Sequence, residues 1–519
     1  MTYGWLEPLY TAEEMRALDA WAIEEKGVPS LDLMERAAAE VTRVLTQLSP
    51  PGPVIAVCGK GNNGGDGLAV ARMLADHGIE ARALLLWPAS ELRGDARANY
   101  DRLVSAGGDV AEVAPAEVPD ALEGAALIVD AILGTGFEGA PRTPADAAIE
   151  AINSTGLPVL AVDVPSGADA STGRVEGACV SANTTVTFQH SKVGLWISPG
   201  KDHAGRVVVA DIGIPHEGRL AAPSSGLIGP GVIDAVPRRA AASTKFSSGS
   251  VLVVGGSVGL TGAVCMTCEG AMRAGAGWVR AAVPASLNEI IEVKLTEVMS
   301  VPLADDGGHL SGDAVGAVLQ AAERADSVVV GPGLGREAGT LAAAVAVIER
   351  VEVPLLVDAD GLFALAGAGL ERAAGSRRPA VLTPHAGELS RLLGTSSSEI
   401  AAGRLDAVRD AARRAGAVVV LKGDDTLVFD PVADRLGVSA GGSPALATAG
   451  TGDVLSGVIA AFMAKGVEPF TAACAGVRVH AEAGRIAARR IGLPDSVIAT
   501  DVIAALPFAL RSGPGEDVG

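Results

Sequence analysis

The stretch VIAVCGKGNNGGDGLAVARML, residues 54–74, decides the fold class of the first half of the chain. Its apolar start predicts a short buried strand, its glycine-rich middle a tight loop, and its Ala- and Leu-rich end a helix. The alternation of strand and helix recurs, with further apolar or β-branched runs at ARALLLW, ALIVDAIL, PVLAVDVP and TTVTFQH. This pattern predicts a mostly parallel sheet, whose ligands bind at the carboxyl ends of the strands.

The glycines of this loop have the spacing of a dinucleotide-binding turn, Gly59-x-Gly61-x-x-Gly64. That turn requires an acidic residue about 20 positions further on, at the carboxyl end of the second strand, where it binds the ribose. The nearby acids, Asp76 and Glu80, both precede the run ARALLLW and therefore lie at the wrong end of that strand. The spacing alone does not indicate a bound NAD cofactor.

The whole set of polar residues in the loop indicates a phosphate or sugar ligand instead. Closely spaced glycines allow backbone amides to converge on an anion at a helix N-terminus, where the helix dipole also favours negative charge. The glycines expected to do this are Gly59, Gly61, Gly64, Gly65 and Gly67. Asn62 and Asn63 add amide side chains, and Asp66 is expected to bind a hydroxyl or to order the loop.

Two further predicted strand ends bring acidic and hydroxyl side chains to the same edge of the sheet. The segment IVDAILGTGFEGAPR supplies Asp130, and AVDVPSG supplies Asp163 and Ser166. Oxygen ligands without thiolate or imidazole suit a hard cation such as K⁺, Na⁺ or Mg²⁺ rather than zinc. The alternative is that these aspartates only cap loops, but glycine-flanked acids at successive strand ends favour a site.

The alternation stops at about residue 213, in the Gly-, Pro- and Ser-rich segment GIPHEGRLAAPSSGLIGPG. We therefore predict a first domain at residues 1–215, a linker at 216–234 and a second domain at 235–519. A second series of strands follows, most of them running into glycine-containing turns: SVLVVGGSVGLTGA, SVVVGPGLG, PLLVDADG, PAVLTPHAGE and AVVVLKGDDT.

The motif AGTGDVLSG, residues 449–457, is the strongest single motif of the second half. Its first residues leave amides free at the start of an apolar helix, where they form a cradle for charge on a transferring phosphoryl group. Asp453 would then face an attacking hydroxyl as general base. Lys422 and Thr426 follow another strand, a suitable place for nucleotide phosphates. His385 follows a third strand, and an ordinary packed histidine is the alternative for it.

Composition and charge argue against several classes of function. The net charge of −20 disfavours nucleic acid or an anionic membrane as a general partner. We find no basic-then-apolar leader and no run of about 18 strongly apolar residues. Five cysteines in 519 residues indicate reduced thiols and a cytoplasmic location. Cys265 and Cys268 match C-x-x-C, but without a second pair or a nearby histidine they are predicted to be core residues of a helix.

Four ordered motifs of the first half, GNNGGDG, VDAILGTG, VDVPSG and TVTFQHSKVGL, resemble the YjeF N-terminal family, the NAD(P)H-hydrate epimerases. The resemblance runs from LYTAEEMRALDAWA to about residue 215. It implies that a hydrated dinucleotide is bound by Asn62, Asn63, Gly64, Gly65, Asp66, Gly134, Thr135, Gly136, Phe137, Glu138, Gly139, Ala140 and Asp163. It also implies that Asn63, Asp130 and Ser166 coordinate K⁺.

The reaction implied by this resemblance interconverts the R and S hydrates, and it needs an acid or base that assists departure and return of the hydroxyl. Asp163 is the first candidate for the catalytic group and Lys192 is the second. The alternative for Lys192 is a solvated lysine at a strand end.

Six ordered motifs of the second half, ending in LKGDDT and AGTGDVLSG, resemble the YjeF C-terminal family, the ADP- or ATP-dependent NAD(P)H-hydrate dehydratases of ribokinase-like fold. The likeness covers roughly residues 235–510. It implies that Ala263, Gly333, Gly335, His385 and Asp453 contact the hydrate. It implies that Lys422, Gly423, Asp424, Asp425, Thr426 and Gly452 contact the nucleotide. The implied chemistry is phosphorylation of the ring hydroxyl with Asp453 as base, then loss of phosphate, with Mg²⁺ bridging the nucleotide phosphates.

We therefore predict an N-terminal Rossmann-like three-layer α/β domain with a mostly parallel sheet, followed by a ribokinase-like α/β domain. The expected function is repair of hydrated NADH and NADPH, with ADP favoured over ATP by resemblance. The expected assembly is a cytoplasmic homo-oligomer, tetramer or larger, without nucleic-acid or membrane partners. Two alternatives remain: a ribokinase-superfamily small-molecule kinase with a nucleotide-binding N-terminal domain, and a nucleotide-sensing module that has lost catalysis in one half.

Overall fold

The computed structural model describes residues 3–215, 223–374 and 378–511. The chain forms two compact units. The N-terminal unit spans residues 8–225, and the C-terminal unit combines residues 1–7 with residues 226–519. The predicted domains differ from these units because they assign residues 1–7 to the first domain. Part of the predicted linker, residues 216–222, lies outside the described residues.

The N-terminal unit is built on a sheet of seven strands in the order β4-β3-β2-β5-β6-β7-β8, and all neighbouring strands are parallel. After β1 (Leu6–Leu9), which crosses the boundary between the units, the strands are β2 (Val54–Cys58), β3 (Ala81–Leu85), β4 (Asp109–Glu112), β5 (Leu127–Ala131), β6 (Val159–Val162), β7 (Thr184–Phe188) and β8 (Arg206–Ala210). The helices are α1 (Ala12–Glu24), α2 (Ser30–Leu48), α3 (Asn62–Asp76), α4 (Gly94–Ser105), α5 (Val118–Ala121), α6 (Ala145–Ser154) and α7 (Gly200–Ala204).

Strand β2 shows why this sheet lies between two helical layers. Val54, Ala56 and Cys58 belong to one hydrophobic cluster, whereas Ile55 and Val57 belong to another, because successive side chains of a strand point to opposite faces. The first cluster contains buried residues of α1 to α4, and the second contains those of α5 and α6. Both faces of the strand are buried, which explains its continuous apolar sequence. The predicted three-layer parallel architecture is confirmed.

The C-terminal unit is built on a larger sheet, in the order β1-β9-β20-β19-β18-β17-β16-β15-β10-β11-β12. Strands β10 to β12 and β15 to β18 pair in parallel, whereas β18, β19 and β20 pair in antiparallel fashion. The strands are β9 (Ser225–Ile228), β10 (Ser250–Val254), β11 (Trp278–Pro284), β12 (Met299–Leu303), β13 (Asp305–Asp306), β14 (His309–Leu310), β15 (Ser327–Val330), β16 (Leu355–Val357), β17 (Ala380–Leu382), β18 (Val418–Leu421), β19 (Leu427–Asp430) and β20 (Arg435–Val438).

The helices of the C-terminal unit are α8 (Thr261–Arg273), α9 (Asn288–Lys294), α10 (Ala314–Ala322), α11 (Ala338–Arg350), α12 (Asp360–Ala368), α13 (Ala386–Leu393), α14 (Ser397–Ala402), α15 (Arg404–Ala415), α16 (Thr451–Ala464), α17 (Pro469–Ile491) and α18 (Ala499–Ala509). The five strands quoted from the sequence are β10, β15, β16, β17 and β18. Strand β9 lies within the predicted linker, where its short SGLI sequence gave no periodic signal. No helix in the described ranges is long and apolar enough to cross a membrane.

Helix α16 is buried along almost its whole length, because its sequence is apolar on every side. It packs closely on α8: a Cβ at Gly457 would lie 2.1 Å from the carbonyl oxygen of Thr267. Cys265 and Cys268 are buried free cysteines of α8, so their prediction as helical core residues is confirmed. This packing fixes the N-terminus of α16, which carries the strongest motif of the second half.

Candidate functional sites

A buried aspartate and serine form the centre of the site in the N-terminal unit. Asp130 lies near the carboxyl end of strand β5 and Ser166 follows β6, and both residues are 0% exposed. The Ser166 hydroxyl lies 2.5 Å from Asp130 Oδ1, and the Ser166 backbone N–H donates to Oδ2 at 2.8 Å. Burial raises the pKa of Asp130 to about 6, although these hydrogen bonds oppose the shift.

Asn63, in the first turn of α3, supplies an oxygen that the protein leaves unused. Its side-chain nitrogen donates to the Val162 carbonyl at 3.2 Å, whereas its buried Oδ1 has no hydrogen-bond partner among the described residues. A Cβ at Gly134 would lie 3.1 Å from the same side chain, so the loop after β5 closes over it. A buried acceptor near the strand ends of Asp130 and Ser166 fits a hard cation with oxygen ligands, such as K⁺.

Asp163 and Lys192 form a buried ion pair at the end of β6. Lys192 Nζ lies 2.6 Å from Asp163 Oδ1 and donates a second hydrogen bond to the Phe188 carbonyl. Lys192 is 1% exposed, which excludes the alternative of a solvated lysine. Asp163 has a φ of 68°, which non-glycine residues rarely adopt, and its Oδ1 also accepts from the Thr187 hydroxyl. Such conformations persist where the surroundings fix them, often at functional sites.

Asp66 is buried close to this ion pair. It is 8% exposed, and burial together with the charges of Asp163 and Asp19 raises its pKa well above the ordinary value. Burial also raises the pKa of Asp19, on α1, to about 6, although Lys192 opposes the shift. The raised pKa of Asp66 favours the protonated carboxyl group, which donates a hydrogen bond as well as accepting one.

Most of the loop glycines serve close packing rather than an anion. A Cβ at Gly64 would lie 1.8 Å from the Gly59 carbonyl oxygen, and a Cβ at Gly59 would lie 2.0 Å from the Ile132 carbonyl oxygen. The Gly65 amide is already used, because it donates to the Gly61 carbonyl. Only Gly61, of the five glycines, has nothing within 4 Å of an added Cβ. The expectation that all five glycines converge on a phosphate is therefore wrong: α3 begins at residue 62 and lies against the sheet.

The loop from Gly134 to Ala140 runs past Asn63 and is at least partly exposed along its length. The Phe137 amide donates to the Gly134 carbonyl and closes a turn. An exposed loop beside a strand end is accessible to a ligand, which agrees with the predicted position of the hydrated dinucleotide. The remaining members of this set are Thr135, Gly136, Glu138 and Gly139.

The site of the C-terminal unit surrounds the N-terminus of α16. Asp453 lies in the first turn of this helix. Burial and the neighbouring carboxylate of Asp358 raise the pKa of Asp453 to about 7, although Lys422 opposes the shift. A carboxyl group that titrates near neutral pH is well matched to general base catalysis.

Lys422 is fixed by a buried carboxylate. Its Nζ lies 2.9 Å from Asp358 Oδ1, and the Ser456 hydroxyl donates to Asp358 Oδ2 at 2.6 Å. Burial disfavours the charge, but Asp358 and Glu388 together raise the pKa of Lys422, which therefore stays protonated. A Cβ at Gly452 would lie 3.4 Å from Nζ, so the ammonium group faces the start of α16. A cation and free helical amides together suit a phosphate group.

His385 caps helix α13, and its second ring nitrogen lies 3.5 Å from a carboxylate oxygen of Glu388. Its Nδ1 accepts hydrogen bonds from the Gly387 and Glu388 amides, and Glu388 in return accepts from the His385 amide. Because Nδ1 accepts, the neutral ring carries its proton on Nε2. The side chain is 54% exposed, so the alternative of a packed core histidine is excluded.

The predicted hydrate-binding residues of two other segments lie together. A Cβ at Gly333, whose φ is 63°, would lie 3.1 Å from the Ala263 Cβ. The Gly335 amide donates to Asp360 Oδ2 at 3.0 Å. Ala263 belongs to the first turn of α8, and both glycines follow β15, so these groups share the edge of the sheet where parallel strands end.

A cavity with a volume of about 470 Å³ lies between the turn after β18, the start of α16, and α17. Five of the six predicted nucleotide-binding residues line it: Lys422, Gly423, Asp424, Thr426 and Gly452. Asp425 does not line it, because its carboxylate pairs with Arg404 at 2.9 Å and the residue is 3% exposed. Apolar side chains, among them Leu446, Leu455 and Val477, line another part of the cavity.

Comparison with known proteins gives the family. The family model for NAD(P)H-hydrate dehydratase matches residues 251–507, and the model for the YjeF-related protein N-terminus matches residues 30–194. The bifunctional NAD(P)H-hydrate repair enzyme of Moorella thermoacetica is 41% identical over 97% of both chains. The chain belongs to the family of bifunctional NAD(P)H-hydrate repair enzymes. The member from Escherichia coli K12 is 34% identical over 96% of this chain and 93% of its own.

A solved structure is similar to part of the chain. The ADP/ATP-dependent NAD(P)H-hydrate dehydratase of Bacillus subtilis, co-crystallised with ATP and Mg²⁺, is 26% identical, with a TM-score of 0.46. It covers 54% of this chain and 94% of its own. The family match over the second half confirms the ribokinase-like prediction, and the resemblance read from the motifs is confirmed for both halves. The alternative of a small-molecule kinase is not favoured.

Several residues of this family member escaped the sequence interpretation. Asp19 lies near Asp163 and Lys192, but it precedes the motifs on a helix with an unremarkable amphipathic pattern. Asp358 was visible within VDADGL, yet nothing in that motif indicated its partner Lys422, 64 positions away. His480, on α17, also lines the cavity, and no local pattern distinguished it.

Proposed function

We propose that this chain repairs hydrated NADH and NADPH in two steps. The N-terminal unit interconverts the R and S hydrates, and the C-terminal unit dehydrates the S form with consumption of ADP or ATP. The observation on which this mainly rests is that one chain contains both a buried Asp163–Lys192 pair and, in its other unit, Asp453 beside Lys422. A dehydratase that accepts one epimer needs such an epimerase to rescue the other.

The epimerase step would use the contrast between two carboxyl groups. Asp163, with the Lys192 ammonium 2.6 Å from Oδ1, acts as the acid/base for the hydroxyl that leaves and returns at carbon six. Asp66, whose pKa is raised by burial, would hydrogen-bond to a hydroxyl of the substrate. The loop 134–140 and Asn62 bind the dinucleotide. K⁺, held by Asn63, Asp130 and Ser166, would supply a fixed positive charge for the phosphates.

The dehydratase step would begin with deprotonation of the ring hydroxyl by Asp453, as that oxygen attacks the terminal phosphoryl group of the nucleotide. The Gly452 amide and the Lys422 ammonium stabilise the negative charge that develops. The C–O bond at carbon six then breaks, phosphate leaves and carbon five loses a proton, which restores the ring double bond of the reduced nicotinamide. The hydrate is held against Ala263, Gly333, Gly335 and His385, whose half-exposed ring would turn its Nε2–H from Glu388 to an oxygen of the substrate.

The nucleotide would bind along the 470 Å³ cavity, with its phosphates toward Lys422, Gly423 and Thr426. Among the described residues, no group of three or more His, Cys, Asp or Glu side chains could hold a metal. Mg²⁺ commonly binds through substrate phosphates and only one or two carboxylates, so it fits this site as a nucleotide complex. When bound there it would neutralise charge on the phosphates. Asp424 closes the cavity, since it accepts from the Gly442 amide.

The proposal also includes a cytoplasmic homo-oligomer, tetramer or larger, without nucleic-acid or membrane partners. The net charge of −20 supports the last point, because polyanions and anionic membranes repel such a surface. Light scattering after size-exclusion chromatography tests the assembly.

The test of the activity is recovery of NADH absorbance. Purified protein is mixed with a defined mixture of R- and S-hydrated NADH, Mg²⁺ and either ADP or ATP, and the near-ultraviolet absorbance is followed. We expect complete conversion of both epimers with at least one nucleotide, and parallel reactions establish which nucleotide is used. Absence of recovery with both nucleotides contradicts the dehydratase, and recovery of the S form alone contradicts the epimerase.

A further inference from the structure

The nucleotide cavity contains a buried acceptor that no step of the proposed chemistry uses. His480 lies on α17, lines the cavity and is 8% exposed. Its Nε2 is buried and has no hydrogen-bond partner among the described residues. Leaving a buried polar atom without a partner is costly, so such an atom on a residue that lines a cavity indicates a ligand that completes it.

The hydrogen bond of the ring to the Thr451 backbone fixes which nitrogen accepts. This bond raises the pKa of His480, as expected when a ring N–H donates to a carbonyl oxygen. Since Nε2 is unpartnered, the donating nitrogen is Nδ1. Burial nevertheless dominates and, with the nearby Lys422 charge, lowers the pKa of His480 to about 4. The ring is therefore neutral at physiological pH, and Nε2 carries a lone pair.

A neutral acceptor cannot bind a nucleotide phosphate, which at neutral pH has acceptors only. The phosphates also have suitable partners elsewhere in the cavity, in Lys422 and the amides near Gly423 and Gly452. The donors of an adenine nucleotide are the ribose hydroxyls and the amino group of the base. The apolar wall of Leu446, Leu455 and Val477 beside His480 suits the nucleoside rather than the phosphates.

We propose that His480 recognises the nucleoside of the adenine nucleotide, with Nε2 accepting a hydrogen bond from either the adenine amino group or a ribose hydroxyl. This inference rests on the proposed nucleotide site and adds a specificity-determining residue to it. Selection follows from the missing bond: a nucleotide without that donor leaves Nε2 buried and unsatisfied. If the donor is the amino group, a base with a carbonyl oxygen at that position would place this oxygen opposite Nε2 of His480. Both atoms are acceptors, so no hydrogen bond would form.

The test crosses variants with nucleotide analogues and needs no hydrated substrate. Calorimetry measures binding of ADP, inosine diphosphate, 2′-deoxy-ADP and 3′-deoxy-ADP to the full chain. The proteins are the wild type, His480→Leu, which lacks the acceptor, and His480→Gln, which retains one. Cys474→Ala is the control, because Cys474 is buried on the same helix but does not line the cavity. The thermal unfolding profile checks that each variant is folded.

We expect His480→Leu to bind ADP about tenfold more weakly than the wild type, the loss typical of one buried hydrogen bond. One analogue should show a similar loss with the wild type and none with His480→Leu, and that analogue identifies the donor. His480→Gln should recover part of the affinity, and Cys474→Ala should bind ADP normally.

Equal ADP affinity of the wild type and His480→Leu overturns the inference while leaving the proposed function intact. The inference is also overturned if every analogue shows the same relative affinity in both proteins. Failure of the wild type to bind any adenine nucleotide overturns the proposed nucleotide site, and the role of His480 with it.

Discussion

Nζ of Lys192 lies 2.6 Å from Oδ1 of Asp163, and Lys192 is 1% exposed. Replacing one partner leaves the other charge buried without compensation. We predict that Asp163→Asn lowers the free energy of unfolding by about 3–5 kcal/mol and abolishes epimerisation. Adding Lys192→Met should restore part of the stability but not the activity. Urea unfolding and R-to-S conversion measure the two effects.

The matched control for this pair is Asp101→Asn. Asp101 pairs with Arg97 on the surface of the same unit, and both side chains are about half exposed. Its loss should change stability by about 0–1 kcal/mol. If Asp163→Asn is no more destabilising than Asp101→Asn, the buried pair does not contribute to the stability of the fold.

Asp453→Asn should remove dehydration and preserve epimerisation. The substitution keeps the shape of the side chain but removes the base, so we expect kcat for dehydration to fall about 10²–10⁴-fold. Stability should not fall, because burial already disfavours the Asp453 charge. Asp434→Asn is the control, since Asp434 forms an exposed ion pair with Arg413 in the same unit. Loss of both activities in folded Asp453→Asn protein would break the two-site assignment.

The dehydratase should require a pH near or above neutral. Burial raises the pKa of Asp453 to about 7, so below that pH the group is protonated and cannot accept a proton. We predict that kcat/KM falls about tenfold per pH unit on the acid side and levels off above pH 7. Because Lys422 lowers the pKa of Asp453, Lys422→Met should move the inflection to higher pH. An inflection that stays in place in Lys422→Met assigns the titration to another group.

Two glycines of the same loop should respond differently to alanine. A Cβ at Gly64 would lie 1.8 Å from the Gly59 carbonyl oxygen, whereas a Cβ at Gly61 has nothing within 4 Å. We predict that Gly64→Ala destabilises the N-terminal unit by at least about 1–3 kcal/mol and that Gly61→Ala leaves its stability unchanged. Thermal unfolding decides between packing and ligand binding as the reason for these glycines; equal melting temperatures would contradict the packing explanation.

Potassium should stabilise the N-terminal unit. A cation that completes the oxygen set of Asn63, Asp130 and Ser166 binds the folded chain only, so its concentration should raise the melting temperature. We expect KCl to raise the melting temperature more than tetramethylammonium chloride does at equal ionic strength. In Asp130→Asn the two salts should give the same melting temperature. An unchanged difference in Asp130→Asn would place the cation elsewhere.

The sequence predicted well where a single segment contains the whole signal. Buried strands such as β2 and β18 are short apolar runs that end in glycine turns, and the alternation with helices implies a parallel sheet. The sequence predicted less well where the function of a residue depends on close packing with distant parts of the chain. Gly64 and Gly65 looked like parts of a phosphate loop. However, a Cβ at Gly64 would collide with the Gly59 carbonyl oxygen after β2, and a Cβ at Gly65 would lie 2.9 Å from the Ala96 Cα on α4.

The sequence by itself determined the two α/β units, the family, the strand-end residues Asp130, Asp163 and Lys422, and Asp453 at a helix start. These follow from local periodicity and contiguous motifs. Only the tertiary structure decided which charges meet, Lys192 with Asp163 and Lys422 with Asp358, and that His480 lines the cavity at the start of α16. The physical reason is that pKa values and unsatisfied acceptors depend on burial and on partners distant in sequence. Spacing along the chain does not encode either quantity.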